Sequence, residues 1–287
     1  MKTNEIFKTV TDKMVNHLKE IQEGKTDAKW IKDWTPGKSP WPTNATTHNQ
    51  YHGMNAMNLF LERMVHGYAE PLWLTFNQKN TLSNELGVDL RIRKGEKATP
   101  IIRVVDWVKA DERDSDDPVR RKTMKVYMVF NIEQMDNVPE ELLPSKDISV
   151  PVLADTLKHH HVDLIHSRTD NPHYQPANDR IVMPPADKFT STQAYAATLL
   201  HELTHWTGHK SRLKRLQLRE NKDAYAYEEL IAELGSAFLC TMYGFEANIN
   251  HACYIDAWIK QMESDDKTLY HAATAAQKAV DFIQGEN

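Results

Sequence analysis

Apolar residues recur at intervals of three and four positions near the start of the chain, and again through most of its second half. This spacing places them on one face of a helix. In the first half it predicts helices over residues 3–23 and 54–66. In the second half the same pattern predicts helices over residues 151–160, 190–207, 223–243, 249–263 and 267–284.

Short segments between these helical regions are instead rich in β-branched and aromatic residues. Residues 72–76, 98–108 and 123–132 have this composition and predict β-strands in the first half. Residues 179–184 predict one further strand in the second half. The fold class is therefore α+β, with an N-terminal α+β domain followed by a mostly helical domain.

A break in both patterns marks the boundary between the two predicted domains. Residues 134–150 hold Pro139, Pro144 and several charged side chains, which is a composition typical of an exposed connection. We therefore divide the chain into a domain of residues 1–145 and a domain of residues 146–287. A fragment ending near residue 145 is expected to fold by itself.

The chain of 287 residues has a net charge of −5, but its two halves have opposite signs. Residues 1–130 contain 21 Lys and Arg against 17 Asp and Glu, while the remainder contains 14 against 23. Five of the acids in the first half lie together within residues 111–117, which has the composition of an exposed loop. The rest of that half is distinctly basic, as expected of a protein that binds a polyanion.

The sequence also indicates the compartment. No stretch approaches the roughly 18 uncharged residues of a membrane span, and the N-terminal segment lacks the apolar core of a signal peptide. We therefore expect a cytoplasmic protein without a membrane partner. Its two cysteines, Cys240 and Cys253, are too few for a disulfide framework and are expected to be thiols.

The segment HELTHWTGH at residues 201–209 contains the H-E-x-x-H pattern of helical metal sites. His201 and His205 lie four positions apart, so both imidazoles project from one helix face and can bind one ion. Glu202 lies about 100° around the helix, where its carboxylate can take a proton from an activated water. We predict a Zn²⁺ site, with another divalent ion such as Mn²⁺ as the alternative, and Glu202 as the catalytic base.

Catalytic zinc sites use three protein ligands, and two positions compete for the third. His209 continues the four-residue spacing, but it lies about 12 Å along the helix from His201, which is too far for one ion. Glu229, in the next predicted helix, lies one turn before Glu233, which can accept the outer N–H of a ligand histidine. The neighbouring Glu228 has an alanine at the corresponding position, so Glu229 is favoured.

These residues are typical of a peptidase. A bound divalent ion polarises the scissile carbonyl and lowers the pKa of water to near 7, while Glu202 acts as general base. Tyr225 and Tyr227 are candidates for contact with the oxyanion, with a packing role as the alternative. Residues 180–183 are expected to offer an edge strand to an extended peptide. The substrate is a protein or peptide of unknown identity.

A group of cations surrounds a predicted turn in the first half of the chain. Residues 88–104 form a strand–turn–strand pattern with Gly95 at the turn. Large aromatic residues occur nearby, and unpaired bases stack on such rings with roughly 1–3 kcal/mol each. The sequence also allows the alternative that the tryptophans fill a core and the turn is only solvated. The predicted DNA-binding residues are Arg91, Arg93, Lys94, Lys97, Trp41, Tyr51 and Trp73, with Trp30 and Trp34 beside them.

Six segments in combination resemble the ArdC-type antirestriction proteins of conjugative plasmids. They are YHGMNAMNLFL, PLWLTFNQ, RIRKGEKAT, FNIEQ, HELTHWTGH and YAYEELIAE. The resemblance covers nearly the whole chain and implies a single-stranded-DNA-binding domain followed by a zincin-like metallopeptidase domain. It implies that His201, His205 and Glu229 bind metal, that Glu202 is catalytic and that the protein shields incoming plasmid DNA from host restriction. Single-stranded DNA is the expected partner, with double-stranded DNA as the alternative.

The resemblance leaves three functions open. The first is a working peptidase directed to DNA-associated substrates, and the second is a DNA-masking protein whose metal site is structural or vestigial. An intact Glu202 favours the enzyme, because a structural site needs ligands but no base. The third is a housekeeping metallopeptidase with an unrelated N-terminal domain. The acidic residues 111–117 match no motif of the family.

Overall fold

A helix of 20 residues opens the chain in the computed structural model, which describes residues 3–25, 41–68, 70–107, 121–139, 153–216, 222–243 and 254–285. The helices in these ranges are α1 (Thr3–Gln22), α2 (Gly53–His66), α3 (Phe76–Leu86), α4 (Leu153–His159), α5 (Thr192–Thr207), α6 (Lys222–Met242), α7 (Ile255–Ser264) and α8 (Thr268–Gln284). The strands are β1 (Thr43–Asn44), β2 (Leu72–Thr75), β3 (Arg91–Ile92), β4 (Thr99–Trp107), β5 (Arg121–Asn131), β6 (Met135–Asp136), β7 (Asp163–His166), β8 (His173–Gln175) and β9 (Arg180–Met183).

The mixture of helices and sheets confirms the predicted α+β class. Every helix that the apolar periodicity predicted has a counterpart in the structure, with bounds within a few residues where the structure describes them. The strands predicted in the first half and the strand predicted at residues 179–184 are also present. Within the described ranges, no helix is long and apolar enough to cross a membrane.

The helix α3 was not predicted, because it lacks an apolar stripe and buries only Leu82. Its start is instead fixed by hydrogen bonds at its N-terminus. The Thr75 hydroxyl oxygen accepts from the Gln78 backbone N–H at 3.2 Å, and the Gln78 side chain accepts from the Thr75 N–H at 2.9 Å. This reciprocal arrangement is a capping box, which satisfies two backbone donors at the helix start.

The main sheet of the first half has the strand order β1-β2-β5-β4, with β4 and β5 as a long antiparallel pair. The outer edge of β4 is bonded by side chains of α2. Asn55 forms two hydrogen bonds with the backbone of Ile102, at 2.7 and 2.9 Å, and Asn58 donates to the Pro100 carbonyl at 2.8 Å. These amides satisfy backbone groups that an edge strand otherwise leaves open.

The predicted strand–turn–strand unit at residues 88–104 is wrong in its pairing. β3 pairs with β6, where Arg91 lies opposite Asp136, and β4 pairs with β5 instead of β3. The register of β4 with β5 runs from Thr99 to Trp107 without a break, so β4 has its partner in the following strand. Gly95 does adopt a positive φ of 94°, which marks a turn but not a hairpin.

A second, three-stranded sheet precedes α5 and has the order β7-β9-β8. β9 is the central strand, parallel to β7 and antiparallel to β8. The expectation that residues 180–183 offer a free edge to a peptide is therefore wrong, since both edges of β9 are already paired. The edges of this sheet belong to β7 and β8.

One hydrophobic cluster draws on both halves of the chain. The buried face of α1, with Val10, Met14 and Leu18, belongs to the same cluster as residues of α5, α6 and α8. Polar contacts reinforce this packing, since the Thr11 hydroxyl donates to the Asp266 carbonyl at 2.9 Å. The two halves therefore depend on each other for burial of apolar surface.

This shared cluster bears on the predicted division into residues 1–145 and 146–287. The division itself lies between residues 139 and 153, outside the described residues, so its position stays a prediction. A fragment ending near residue 145 would expose the face of α1 that α7 and α8 cover. The packing therefore argues against independent folding of that fragment, contrary to the expectation from the linker composition.

Candidate functional site

The histidine pair of the H-E-x-x-H segment lies on the last two turns of α5. The helix starts after Ser191, whose hydroxyl oxygen accepts a hydrogen bond from the Ala194 N–H at 3.0 Å. This is a standard N-cap contact and fixes where the helix begins. His201, Glu202 and His205 are all buried, because this part of α5 packs against α6 and the strands β8 and β9.

The side chains of His201, His205 and Glu229 converge on one point. The two histidine Nε2 atoms lie 3.1 Å apart, and Glu229 carboxylate oxygens lie 3.4 Å from His201 Nε2 and 3.5 Å from His205 Nε2. Atoms bound tetrahedrally to one zinc ion at about 2.1 Å are about 3.4 Å from one another. The group therefore has the size and the donor types of a divalent-ion site.

The other nitrogen of each histidine faces a carboxylate. His205 Nδ1 lies 3.1 Å from Glu228 Oε1, and His201 Nδ1 lies 3.8 Å from Glu233 Oε1. Glu228 is within hydrogen-bond distance, so it can hold the Nδ1 proton of His205 and leave Nε2 free to bind a metal. Glu233 is at ion-pair distance from His201, which is longer than a hydrogen bond. The sequence analysis assigned this role to Glu233 only and gave none to Glu228.

Arg215 holds the Glu228 carboxylate at two points. Its Nε lies 2.9 Å from Glu228 Oε2 and its Nη2 lies 3.0 Å from Glu228 Oε1. The Nη2 group also donates to the Thr204 carbonyl at 2.7 Å, which ties the pair to α5. Bidentate pairs of this kind restrict the carboxylate to one orientation. The sequence analysis missed Arg215, which lies in irregular chain after α5.

The charges around the histidines keep the ligand carboxylate ionised. Burial lowers the pKa of His205, but the carboxylates of Glu228 and Glu229 outweigh this effect and raise it to about 9. Burial raises the pKa of Glu229, but hydrogen bonds and charge from the two histidines hold it far below the ordinary value. An ionised, buried carboxylate beside two imidazoles is a favourable environment for a divalent cation.

Two further polar side chains belong to this region. Glu202 follows His201 directly on α5, and its negative charge contributes to the raised pKa of His205. Burial raises the pKa of Tyr225, and a hydrogen bond with Glu229 raises it further. Tyr225 is therefore a neutral donor next to the Glu229 carboxylate, whereas burial and the charge of Glu228 raise the pKa of Tyr227. Of the two tyrosines proposed from the sequence, the structure places Tyr225 at the site.

The close approach of α5 and α6 depends on Gly235. A methyl group at this position would lie 2.5 Å from Thr204 Cγ2 and 2.8 Å from Thr204 Oγ1, which is closer than carbon atoms can pack. Thr204 lies between the two ligand histidines on α5. The absence of a side chain at residue 235 therefore allows the helix that carries Glu229 to reach the histidines.

The variant Gly235→Ala should destabilise the protein by about 1–3 kcal/mol, because the added methyl overpacks the contact with Thr204. Helix propensity alone predicts the opposite, a gain of about 1 kcal/mol. Urea unfolding measures the free energy of unfolding and shows whether the variant is less or more stable than the wild type. The double variant Gly235→Ala with Thr204→Ala should recover most of the loss, since the second change removes the clashing atoms. A stabilised single variant would contradict the role given to Gly235.

A network of side chains fastens the end of α5 to the turn between β8 and β9. Arg212 forms two contacts with the Asp179 carboxylate, one of them at 2.9 Å, and lies 3.7 Å over the Trp206 ring. His209 Nδ1 lies 2.7 Å from Ser211 Oγ and 3.8 Å from Asp179 Oδ2. His209 thus belongs to this network and not to the ligand group, as its distance along the helix predicted.

Two aromatic residues that were assigned to DNA stacking are core residues. The ring of Trp41 is 0% exposed and lies edge-on between Phe60 and Phe238, with ring centroids 5.5 and 5.2 Å away. Trp73 is also 0% exposed. A ring without an open face cannot stack on a base, so burial contradicts the assignment of Trp41 and Trp73. Tyr51 is half-buried and lines a groove on the surface.

The cations of the turn at Gly95 differ in their surroundings. Arg91 is exposed and binds Asp89, with Nε 2.7 Å from the carboxylate. Arg93 binds Glu96 at 3.1 Å and backbone carbonyls of the next strand region. Lys94 and Lys97 are exposed, and neither forms an ion pair within the described residues. Trp30, Trp34 and the acidic residues 111–117 lie outside the described residues.

Two sequence families match this chain. Residues 4–132 match the N-terminal domain of anti-restriction factor ArdC, and residues 153–275 match the zincin-like metallopeptidase family. The two matches lie on either side of the predicted domain boundary.

Several relatives align with almost the whole chain. A DNA primase TraC of Escherichia coli is 33% identical over 96% of this chain, and a second one is 34% identical over 97%. The chain spans only 19% and 27% of the length of these two proteins. The y4eC protein of Sinorhizobium fredii is 30% identical over 98% of this chain and 92% of its own length.

Solved structures of similar fold extend the comparison. The metal-free crystal structure of the antirestriction ArdC protein from plasmid R388 has a TM-score of 0.78 and 33% identity, covering 97% of this chain and 96% of that chain. The Mn(II)-bound structure of the same protein has a TM-score of 0.76 and 33% identity, covering 97% of both chains.

Proposed function

Because this chain belongs to the ArdC antirestriction family, we propose that it protects incoming DNA from host restriction, binding single-stranded DNA and carrying a metal-dependent peptidase site. The observation that carries the proposal is the buried group of His201, His205 and Glu229, whose ligand atoms have the separations of a single-ion site. Glu202, beside this group on α5, supplies the base that peptide hydrolysis needs. We place the protein in the cytoplasm, where incoming DNA meets restriction enzymes.

Each residue of the site has a separate role in this proposal. His201, His205 and Glu229 would hold the ion, which when bound supplies a Lewis acid that polarises a carbonyl and lowers the pKa of water. Glu202 takes the proton from the attacking water and delivers it to the leaving nitrogen. Tyr225 is a neutral phenol hydrogen-bonded to Glu229, so it would stabilise the oxyanion only by turning its single O–H away from that carboxylate.

We assign zinc as the ion. Two imidazole nitrogens and one carboxylate form the ligand set of catalytic zinc in several peptidases, and a fourth position remains for water or substrate. The Mn(II)-bound structure of the R388 ArdC protein supports a divalent ion at this kind of site and makes Mn²⁺ the alternative.

The N-terminal half is the part that we assign to DNA. Its match to the N-terminal domain of anti-restriction factor ArdC supports this assignment, as do relatives named as DNA primases. Lys94 and Lys97 are exposed and are candidate contacts for phosphates, as Arg91 and Arg93 are in spite of their own acidic partners. Single strands are the preferred partner, with duplex DNA as the alternative.

Burial of the metal site favours a second candidate function. His201, Glu202, His205 and Glu229 are each 4% exposed or less, so a peptide must displace part of the surface before it reaches them. A DNA-masking protein with a structural metal ion would need no such access. In that case protection comes from occupancy of the DNA, and the peptidase chemistry is not used.

Plasmid transfer into a restricting host tests the proposal. Recipient cells that produce the protein should accept unmodified plasmid DNA at a higher frequency than cells without it, because the bound single strand is shielded on entry. The measurement is the number of transconjugants per donor. Recipients that lack the restriction enzyme are the control and should show no difference. An equal increase in both hosts, or none in either, would rule out antirestriction.

A further inference from the structure

A surface groove of about 820 Å³ lies beside the main sheet of the first half. Its lining includes Tyr51, which was predicted to bind DNA, and Arg103, a cation of the segment 88–104. Six of its sixteen lining residues carry side-chain amides, and none of the described lining residues is an aspartate or a glutamate. The described lining therefore carries no negative charge, although the chain as a whole has a net charge of −5. The aromatic side chains in the lining are Tyr51, Phe76 and Tyr127.

The groove has a fixed floor and an open rim. In the floor, Asn44 Nδ2 donates to the Tyr51 hydroxyl at 3.0 Å and to Gln78 Oε1 at 3.2 Å. Gln78 also caps α3, so these side chains cannot turn easily. On the rim, Asn77 is exposed, as is Phe76 with 55% of its surface open. The amide of Asn77 forms no side-chain hydrogen bond with any residue that the structure describes.

The one arginine in the described groove lining faces a second cation on the neighbouring strand. Arg103 lines the groove, and Lys125 lies directly opposite Arg103 in the antiparallel pair β4–β5. Both are exposed, and neither has an acidic partner within the described part of the chain. Like charges directly opposite on a sheet repel each other. An anion bound between them would remove this repulsion.

We propose that this groove holds unpaired bases of single-stranded DNA, with Arg103 and Lys125 on the adjoining phosphates. The exposed ring of Phe76, which has Lys79 Nζ over one face, can stack on a base of any kind. Side-chain amides offer both a donor and an acceptor to base edges. Paired, stacked bases of a duplex cannot reach such a groove. The inference rests on the proposed function and gives it a place on the surface that differs from the turn at Gly95.

A neighbouring cavity extends the path toward the second half of the chain. It has a volume of about 330 Å³ and shares His52, Asn55 and Ile102 with the groove. Its far side is formed by α8, which contributes both the cation Lys278 and the acid Asp281. A DNA strand that continues from the groove would therefore contact residues of both halves of the chain.

Fluorescence anisotropy with a labelled single strand and the full-length protein tests the proposal. Phe76→Ala should weaken binding about 5- to 150-fold, the effect of losing one stacked base, with the salt dependence unchanged. Arg103→Gln should instead reduce the log–log salt slope by about 0.7, the value for one phosphate on a single strand. Matched controls are Leu86→Ala, an exposed apolar residue at the other end of α3, and Arg168→Gln, an exposed cation of the second half. Both should bind like the wild type.

The outcomes separate the groove from the proposed function. If Phe76→Ala and Arg103→Gln bind the single strand as tightly as the wild type, the assignment of DNA to the groove is wrong, while single-strand binding itself stands. If the wild type binds no single strand at all, both are wrong. Equal affinity of the wild type for a duplex and a single strand would also contradict the proposal that bases bind in the groove, because paired bases cannot enter it. Thermal unfolding of Phe76→Ala and Arg103→Gln verifies that both are folded, as expected for exposed positions.

Discussion

Substitution of His205 by alanine should abolish stoichiometric zinc binding, from about one ion per chain to none. His205 supplies one of three ligand atoms that lie 3.1–3.5 Å apart, and two remaining ligands hold a divalent ion only weakly. Metal analysis of the purified protein measures the content, and competition with a chromophoric chelator measures the affinity. Glu229→Ala should have a similar effect. Full zinc content in either variant would contradict the ligand assignment.

Glu228→Gln is the control that separates a ligand from a residue that orients one. Glu228 contacts Nδ1 of His205 and not the Nε2 atom that would bind the ion, so its loss should reduce zinc affinity about 10- to 100-fold without changing the stoichiometry. Glutamine keeps the shape and one hydrogen-bond acceptor, although it weakens the pair with Arg215. If Glu228→Gln lost the metal entirely and Glu229→Ala kept it, the third ligand would be Glu228.

The zinc affinity measured by chelator competition should depend on pH. In the metal-free protein the pKa of His205 is raised to about 9, and a protonated imidazole cannot bind an ion. Zinc must then displace a proton, so its apparent affinity should rise about tenfold per pH unit below pH 9 and level off above. The raised pKa also means that protonated His205 stabilises the metal-free fold below pH 6.5, and that this contribution is lost as the pH rises through 9.

The candidate metal site could be predicted from the sequence because helical geometry fixes the relative positions of its residues. Four residues of spacing put His201 and His205 on one face, and the same period relates Glu229 to Glu233 on the next helix. The structure brings these residues together as the spacing required. The roles of Glu228 and Arg215 could not be read in this way, because Arg215 lies in irregular chain and reaches Glu228 only through the tertiary fold.

The residues proposed to bind DNA were far harder to predict from the sequence. A tryptophan in a loop-rich segment has the same sequence context whether its ring is exposed or buried, and Trp41 is held in the core by Phe238, almost two hundred positions away. The pairing of β3 with β6 is another contact between distant segments that local patterns do not encode. By contrast, the start of α3 does have a local sequence signal, the capping box of Thr75 and Gln78. A search for apolar periodicity alone does not detect it.

Glu202→Gln should reduce peptide hydrolysis by about 10²- to 10⁴-fold while the zinc content stays the same, because glutamine cannot accept the proton of the attacking water. Glu202 is not among the ligand residues, so the ion should remain. The measurements are cleavage of a protein substrate pool, metal content and single-strand affinity. Glu20→Gln, an exposed change of the same kind on α1, is the matched control and should leave all three unchanged.

The same variant decides between the two functions when it is tested in plasmid transfer into a restricting host. If protection depends on hydrolysis, Glu202→Gln should lose it while still binding zinc and single-stranded DNA. If protection comes from occupancy of the DNA, Glu202→Gln should protect like the wild type, and Arg103→Gln or Phe76→Ala should protect less. Loss of single-strand binding in folded Glu202→Gln would contradict both, because the groove and the carboxylate share no residue. Full hydrolysis by Glu202→Gln would instead show that another group acts as the base.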